Sequence, residues 1–411
     1  MMKKIQVLLG IAIAILTLFI GLSALDKPLQ IRLILGIIIG YALVRGAFGF
    51  AGSVNRPCRN GSTKLMRSLM FLFVITAIGI AFINYSGFVN FGGKSILQAK
   101  PIGLSLIIGA FLFGLGMAFA SCCASGVLQV FSGGAVRALI TMFFFGVGVF
   151  FATPLGKKEF TSKGVKFNIL TEWFDGGKTI AGMIGGILVL TLMALIVTYI
   201  CLYIEKYLKA KGQCTDIVSE EEYKQHVNDE LPLNPISKTT YDIVLGNPWS
   251  LRTAATVIAG AFLAMVITTG GAWGVSGPFG LWFGKLLTLV GVSKDWIADY
   301  TGNNVASYVD VFTKNVISTQ NIGIILGGLI AGLTMARFKP QLKVNLKQAI
   351  TYALGGLMMG VAINLAGGCN AGGLYSPIAT FSLSGWVYLV LMTIGAVLGN
   401  FILKRFLNMY K

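Results

Sequence analysis

The chain contains two stretches, GAFLFGLGMAFASCCASG at residues 109–126 and GGLMMGVAINLAGGCNAG at residues 355–372, that align without gaps. The identical pairs are Gly109 and Gly355, Gly114 and Gly360, Ala120 and Ala366, Cys123 and Cys369, and Gly126 and Gly372. A second pair of similar segments lies upstream, GAFGFAG at 46–52 and GAWGVSG at 271–277. The sequence therefore predicts a duplicated structure with one thiol at the same place in each half.

The composition places this duplication in a membrane. Mean hydropathy is +0.79, and 55% of residues are hydrophobic whereas 12% are charged. A soluble protein has about a quarter of its residues charged, so much of the apolar surface here must face lipid. Internal duplication in a very apolar chain is typical of transporters, whose substrate sites lie where the repeats meet.

The hydropathy pattern predicts an all-α polytopic protein with ten spans, since about 20 apolar residues cross a bilayer as a helix. The predicted spans are 7–25, 31–50, 67–87, 101–120, 135–153, 180–204, 251–270, 320–337, 347–366 and 384–403. Lys3 and Lys4 precede the first span, as in a signal peptide. No small-residue cleavage site follows it, so we expect a retained helix.

The short basic connections predict the orientation, because cytoplasmic loops are enriched in lysine and arginine. The basic residues of these connections are Arg56, Arg59, Lys64, Arg67, Arg337, Lys339, Lys343 and Lys347. All lie in the cytoplasm if both termini do and each half has five spans. The two halves then run in opposite directions, which predicts an inverted-topology repeat. The lysine-rich connection 154–178 falls outside, but longer loops obey the rule poorly.

We expect a first membrane repeat at 1–204, a polar cytoplasmic linker at 205–250 and a second repeat at 251–411, with the helix at 180–204 belonging structurally to the second half. The linker contains the only histidine, His226, which has no evident catalytic partner. The net charge of +18 is dispersed along membrane boundaries. This distribution favours contact with anionic lipid rather than nucleic acid.

Small, uncharged residues fill the segments 120–134 and 366–384, which are too short to cross a membrane. Non-helical backbone at membrane depth is tolerated where it is buried or lines a cavity. We therefore predict re-entrant or broken helices, including 46–54 and 271–278. The two later segments would carry Cys123 and Cys369 toward the midplane.

The remaining cysteines have weaker claims to a function. Cys122 adjoins Cys123 but aligns with Gly368, and two further cysteines, Cys201 and Cys214, have no counterpart in the other half. Cys58 lies in a basic segment and is either reactive or an ordinary buried thiol. We expect no metal or other cofactor, because neither histidine nor carboxylate accompanies the paired thiols.

The chain resembles the YeeE/YedE sulphur-transport family over nearly its whole length. The resemblance rests on RGAFGFAGS at 45–53, SCCASG at 121–126 and GGCNAGG at 367–373. It implies a bacterial inner-membrane transporter with pseudo-symmetric halves. In thiosulfate-importing members, cysteines along an hourglass-shaped path hydrogen-bond the passing anion, and Cys123 and Cys369 look like two of them.

Gly49 stands where the family has a third cysteine, which puts thiosulfate itself in doubt. The form FGFAGSVNR at 48–56 looks like the YedE branch, which is associated with selenium metabolism. The resemblance thus implies uptake of a sulphur- or selenium-containing species, and family analogy adds a cytoplasmic sulphur-carrier protein as a partner.

The predicted substrate path combines these residues. Its members are Cys122, Cys123, Cys369, Arg45, Gly49, Gly52, Ser125, Gly126, Asn370 and Gly372. A thiol is a weak, soft donor that can hold a polarizable ion and still release it. Arg45 and Arg137 either attract an anion or snorkel to the interface.

Two other functions compete with this transporter. The first is a membrane thiol–quinone oxidoreductase using Cys122, Cys123 and Cys369. The duplication opposes it by placing one cysteine in each half, and no Cys-x-x-Cys is present. The second is a scaffold or a general anion channel.

Overall fold

The computed structural model describes residues 2–87, 96–97, 99–213, 245–338 and 341–407. Its helices are α1 Met2–Ala24, α2 Lys27–Arg45, α3 Gly52–Asn60, α4 Lys64–Ser86, α5 Leu104–Ala120, α6 Ala124–Gln129, α7 Ala135–Gly156, α8 Glu159–Ser162, α9 Ile169–Trp173, α10 Ile180–Ala210, α11 Leu251–Thr269, α12 Gly277–Leu289, α13 Lys294–Thr301, α14 Val316–Thr334, α15 Leu346–Ala366, α16 Ser376–Ala379 and α17 Leu383–Arg405. A π-helical segment, Asn370–Tyr375, precedes α16. Strands β1 Pro101–Ile102 and β2 Val165–Lys166 pair antiparallel.

Ten of the described helices are long and apolar enough to cross a membrane, namely α1, α2, α4, α5, α7, α10, α11, α14, α15 and α17. They confirm the ten predicted spans and the helical membrane class. The largest difference in a boundary is at 180–204, because α10 continues to Ala210. The span predicted at 31–50 ends early, at Arg45, and Ala47 just beyond it has a positive φ of 46°. Helices α12 and α13 lie in a region left unassigned from sequence, since neither is long enough to span a bilayer.

Helices from the two halves of the chain interleave. The most extensive helix contacts are α2 with α14, α7 with α15, and α5 with both α15 and α17. Glycines allow these close approaches: a Cβ on Gly36 would meet the Gln320 carbonyl, and one on Gly327 would meet the Ile37 carbonyl. Small residues at contacts are typical of helices packed in lipid. The two halves therefore share one core.

Connections at one end of the helix bundle contact one another, and we call this the first end. The Gln341 amide donates to the Gly133 carbonyl at 3.1 Å, and the Trp249 amide donates to the Arg45 carbonyl at 3.0 Å. The predicted cytoplasmic basic residues that the structure describes occupy this end, and they are Arg56, Arg59, Lys64, Arg67, Arg337, Lys343 and Lys347.

Connections at the opposite end, the second end, also contact one another. The Lys157 ammonium donates to the Gly302 carbonyl at 2.6 Å, and the Leu383 amide donates to the Phe167 carbonyl at 3.1 Å. These pairings agree with ten helices that alternate in direction from α1 to α17.

Candidate functional site

Cys123 lies in a break between two helices near the centre of the fold. Helix α5 ends at Ala120, and Cys123 forms the N-cap of the short helix α6. Its Sγ accepts a hydrogen bond from the Gly126 amide at 3.4 Å and lies 3.3 Å from the Ser125 hydroxyl. The side chain is fully buried. Gly126 and Ser125 therefore surround this thiol with donors, as their place in the predicted path requires.

Cys369 lies in the corresponding break of the second half. Helix α15 ends at Ala366, and Cys369 is the N-cap of the segment Asn370–Tyr375. The Asn370 amide donates to the sulphur of Met117 in α5 at 3.4 Å, so this segment reaches into the first half. Both broken helices predicted around the paired cysteines are thus confirmed.

The two breaks bring their thiols together. Helix α6, which Cys123 caps, contacts the segment Asn370–Tyr375, which Cys369 caps. The buried Tyr388 hydroxyl donates to the carbonyl of Gly368, the residue before Cys369, at 3.4 Å. All five cysteines that the structure describes are free thiols. Two soft, unoxidised donors from opposite halves therefore share one buried region.

The upstream break at 46–51 approaches this region from the first end. A Cβ on Gly49 would lie 3.0 Å from the side-chain amide nitrogen of Gln129, the only neighbour within 4 Å among the residues that the structure describes. Gln129, which was not identified from the sequence, therefore occupies the space opposite Gly49. A lone glutamine at the end of a short helix carries no sequence signal for this role.

A cavity of about 410 Å³ lies between the break at 46–51, the break before α6 that contains Cys122 and Cys123, and the start of α7. Four residues of the predicted path line it, namely Gly49, Gly52, Cys122 and Gly126. Arg56, Gln129 and Arg137 supply its nitrogen donors, and no aspartate or glutamate is among its described lining residues. The cavity is therefore suited to an anion.

Arg45, a residue of the predicted path, contacts residues of α2 and of the segment before α11. Its Nε donates to the Asn247 carbonyl at 2.8 Å, and Nη1 donates to the Tyr41 hydroxyl at 2.8 Å. The guanidinium lies 4.8 Å from the centre of the Trp249 ring. These contacts hold the start of α11 against α2, and Arg45 does not line the 410 Å³ cavity. Arg56, which follows the break at 46–51, lines this cavity instead.

Lys100 is a site residue at the second end that sequence reasoning missed. Its ammonium donates to the carbonyls of Gly367 at 2.7 Å and Gly372 at 2.6 Å. Burial lowers the pKa of Lys100 to about 8, and its proximity to Cys369 opposes part of that effect. Lys100 thus contacts the segment around Cys369 from the second end of the bundle, and its ammonium places a positive charge beside that segment.

Arg32 is a second residue that sequence reasoning missed. It is buried near the start of α2, at the second end of the bundle. It donates to the Gln320 side-chain oxygen at 2.9 Å, the Thr269 hydroxyl at 2.7 Å and the Gly271 carbonyl at 3.1 Å. Gln320 in turn donates to the Gly274 carbonyl at 2.8 Å. Arg32 therefore fixes the break at 270–276, which interrupts the helix where the sequence repeat predicts it.

Comparison with protein families identifies this architecture. Residues 45–398 match the family model described as "Sulphur transport". The chain belongs to this family. The match includes both cysteine breaks and both upstream breaks, and it confirms the family inferred from the sequence.

Curated relatives of the family are similar over most of the chain. The thiosulfate transporter TsuA of Spirochaeta thermophila is 24% identical over 389 residues, which cover 90% of this chain and 96% of the relative. The TsuA protein of Escherichia coli is 21% identical over 367 residues, covering 88% and 91%. Since these relatives are named as transporters, they support transport rather than enzymatic catalysis.

The probable transporter YedE of Escherichia coli is 28% identical over 140 residues, which cover 32% of each chain. This similarity is shorter than the similarity to the TsuA proteins. The family membership is therefore secure, whereas a YedE-like branch remains an expectation.

Cys58, the other cysteine considered as a reactive thiol, lies in α3 and is not among the described residues that line the 410 Å³ cavity. Burial raises the pKa of the half-buried Cys58 thiol, and neighbouring Arg59 only partly opposes this effect. A raised pKa disfavours the reactive thiolate. Cys214 and His226 lie outside the described residues. Among the residues that the structure describes, no group of three histidine, cysteine or acidic side chains could hold a metal.

Proposed function

We propose that this protein imports a small sulphur- or selenium-containing anion across the bacterial inner membrane, along a path that includes Cys123 and Cys369. The observation that carries the proposal is the contact between α6 and the segment Asn370–Tyr375, which begin at equivalent helix breaks and are capped by these two buried thiols. The TsuA relatives, named as thiosulfate transporters, support a sulphur anion as the substrate class.

The charges around the thiols support an anionic substrate. Lys100 lies beside Cys369 toward the second end, and Arg56 and Arg137 line the cavity beside Cys122 toward the first end. Positive groups at both ends attract an anion, and the thiols between them bind it only weakly. Conduction needs both attraction by the positive groups and weak binding by the thiols, because the anion must enter each site readily and also leave it.

Paired helix contacts support a two-repeat design with α10 as the first span of the second half. Helix α2 packs on α14, and the equivalent pair in the other half is α11 on α4. Helix α7 packs on α15, and the equivalent pair is α17 on α5. In the same way, α1 packs on α14 as α10 packs on α4. An axis in the membrane plane would relate the halves. Along the chain the repeats would then be 1–204 and 251–411, joined by the linker 205–250, with the helix at 180–204 belonging structurally to the second half.

The first end carries the basic connections, so it would face the cytoplasm, with both termini there. A cytoplasmic sulphur-carrier protein would then collect the substrate from this end, and anionic lipid would contact the same basic residues.

Gly49 supports a range of substrates that is not limited to thiosulfate. It supplies no thiol where the thiosulfate-type pattern has one, and the Gln129 amide lies in the adjoining space. A selenium-containing anion, or another chalcogen species, is therefore included in the proposal.

The deciding experiment is uptake of labelled thiosulfate, sulfate and selenite by cells lacking other importers. Cys123→Ala and Cys369→Ala should each abolish most uptake of the preferred anion while the protein stays folded in the membrane. Cys201→Ala removes a buried thiol of α10 and serves as the matched control with parental uptake. Parental uptake by all three variants would exclude the thiol path, and it would leave a general anion channel as the better description.

A further inference from the structure

A path across the membrane needs an opening at each end. At the first end, Ala47 and Arg56 line both the 410 Å³ cavity and a larger groove of about 990 Å³ that opens beside α4, α10 and α11. The break that the sequence repeat pairs with 46–51 begins at Gly271, and it follows α11 at the second end. This second upstream break is therefore where an anion would meet the protein from the other side.

The carbonyl groups of the second upstream break are bound by side chains of other segments. Four of its carbonyl oxygens accept such hydrogen bonds, and the donor and acceptor pairs are Arg32 and Gly271 at 3.1 Å, Ser376 and Trp273 at 2.9 Å, Gln320 and Gly274 at 2.8 Å, and Asn321 and Val275 at 2.8 Å. These side chains fix the position of a stretch of backbone that is not helical.

The N–H groups of the same stretch are left available. Within the described part of the chain, the backbone N–H groups of residues 271–275 donate to no backbone or side-chain acceptor. The indole N–H of Trp273, a fully buried side chain, also has no partner there. Buried N–H groups are nearly always paired, and successive free N–H groups form sites for anions. The second upstream break therefore offers a row of donors to a ligand.

Two cations flank this break, and neither is paired with a carboxylate of the described chain. Arg32 is 5% exposed and donates only to an amide oxygen, a hydroxyl and a carbonyl. Lys100 donates to the Gly372 carbonyl, and a Cβ on Gly372 would lie 4.0 Å from the Cα of Gly274. Positive charge in a partly desolvated place is unfavourable unless an anion joins it.

The second upstream break also has space beside it. Among the described residues, a Cβ on Gly274 would meet only the Cδ1 atom of Ile317, at 3.8 Å. Gly274 and Gly372 are both half-buried, whereas Cys369 beyond them is fully buried. A ligand can therefore reach the break from the second end before it meets a thiol.

We propose that the second upstream break binds a small oxyanion, with the N–H groups of 271–275 as donors and with Arg32 and Lys100 as counter-charges. Hydrogen bonds from backbone N–H groups to an oxyanion are charge-assisted and strong. Gly368 stands at the repeat position of Cys122, so this site has backbone where the first-end cavity has a thiol. It would thus recognise charge and oxygen atoms and bind sulfate and thiosulfate alike. The inference rests on the proposed function, because it assigns the first site that an imported anion meets.

The test uses sulfate as the probe and a thiol introduced at Ala272, which is exposed within the break. A neutral maleimide labels Ala272→Cys in the purified full-length protein in detergent, in sodium sulfate or in sodium chloride of equal ionic strength. Bound sulfate should slow labelling severalfold relative to chloride, and the parent gives the background from native thiols. Lys100→Gln or Arg32→Gln, added to Ala272→Cys, should each remove most of this protection. Lys157→Gln is the matched control, because it removes another lysine bound to a glycine carbonyl at the second end, and it should retain the protection.

Equal labelling in sulfate and chloride would overturn the proposal, as would full protection in a folded Lys100→Gln protein. If Arg32→Gln does not fold, the half-buried Lys100 still provides the test. Protection without uptake of thiosulfate or selenite would refute the transport function and leave this site standing. Cys123-dependent uptake without protection would refute the site alone.

Discussion

Gly109 and Gly355 make the same contact from opposite halves of the chain. A Cβ on Gly109 would lie 2.5 Å from the backbone nitrogen of Ala366, and a Cβ on Gly355 would lie 2.5 Å from that of Ala120. Each alanine is the last residue of the helix that leads to a paired cysteine. The two glycines therefore set the distance between α5 and α15 immediately before both breaks.

Adding a methyl group at either glycine should destabilise the protein by a similar amount. Gly109→Ala and Gly355→Ala each place a Cβ against backbone that cannot rotate away, so we expect a loss of about 1–3 kcal/mol. The measurement is the thermal unfolding midpoint of the purified protein. Gly260→Ala is the control, because in the described part of the chain no atom of a neighbouring segment lies within 4 Å of its Cβ position. A stable Gly109→Ala protein beside an unstable Gly355→Ala protein would contradict equivalent packing.

Gly49→Cys should shift uptake toward thiosulfate. The φ of Gly49 lies outside the left-handed range, and the added Cβ meets only the flexible end of Gln129. A thiol can therefore be accommodated and would supply a third soft donor. Competition between labelled thiosulfate and selenite measures the shift, and Gly49→Ala controls for the added Cβ. Equal behaviour of the two variants would remove Gly49 as a specificity position.

Uptake should decrease as the pH at the second end rises through about 8. Burial lowers the pKa of Lys100 to about 8, so the ammonium is charged below this pH and neutral above it. The charge that attracts the anion and donates to Gly367 and Gly372 is lost in the same interval. Lys100→Gln should lower uptake severalfold at pH 7 and remove the pH step.

The depressed pKa also has a consequence for stability. Because the folded protein binds the Lys100 proton less tightly than the unfolded chain, this group makes folding more favourable as pH rises from about 8 toward its usual pKa of about 10.4. Uptake and stability should thus change in opposite directions. Lys157→Gln removes another lysine of the second end and should retain the pH step; a step in Lys100→Gln as well would assign the titration to another group.

Labelling of introduced cysteines should separate the two ends. Exposed Gln341 lies at the first end and exposed Ser162 at the second. In intact spheroplasts, a membrane-impermeant maleimide should label Ser162→Cys, whereas Gln341→Cys should react only after permeabilisation. The parent provides the background from native thiols. The reverse pattern would place the basic connections outside the cell and refute the orientation derived from them.

The spans and breaks were predictable because each depends on local sequence. Apolar runs of about 20 residues specify helices in lipid, and the small-residue segments around Cys123 and Cys369 cannot extend them. Repetition of these features in both halves identified the same two thiols that the fold brings together. Local chemistry was sufficient for this part of the site.

Positions of individual charges were not predictable in the same way. Arg45 and Arg56 flank one break, and the turn of the backbone at Ala47 decides which of them reaches the cavity. Gln129 and Lys100 become site residues only through contacts with distant segments. Such contacts depend on tertiary packing, for which a single sequence contains no periodic signal.

The shared boundary at Ala47 and Arg56 has a consequence for the energy of permeation. From the first end, an ion would pass from an open groove of about 990 Å³ to a cavity of about 410 Å³ and then to the fully buried Cys123. The second space is smaller than the first, and the thiol beyond it is buried. Hydration water would thus be removed in stages, with guanidinium groups replacing part of it before the thiols replace the rest. Dividing dehydration into steps keeps any single barrier low, so an anion can cross an apolar protein without losing its whole water shell at once.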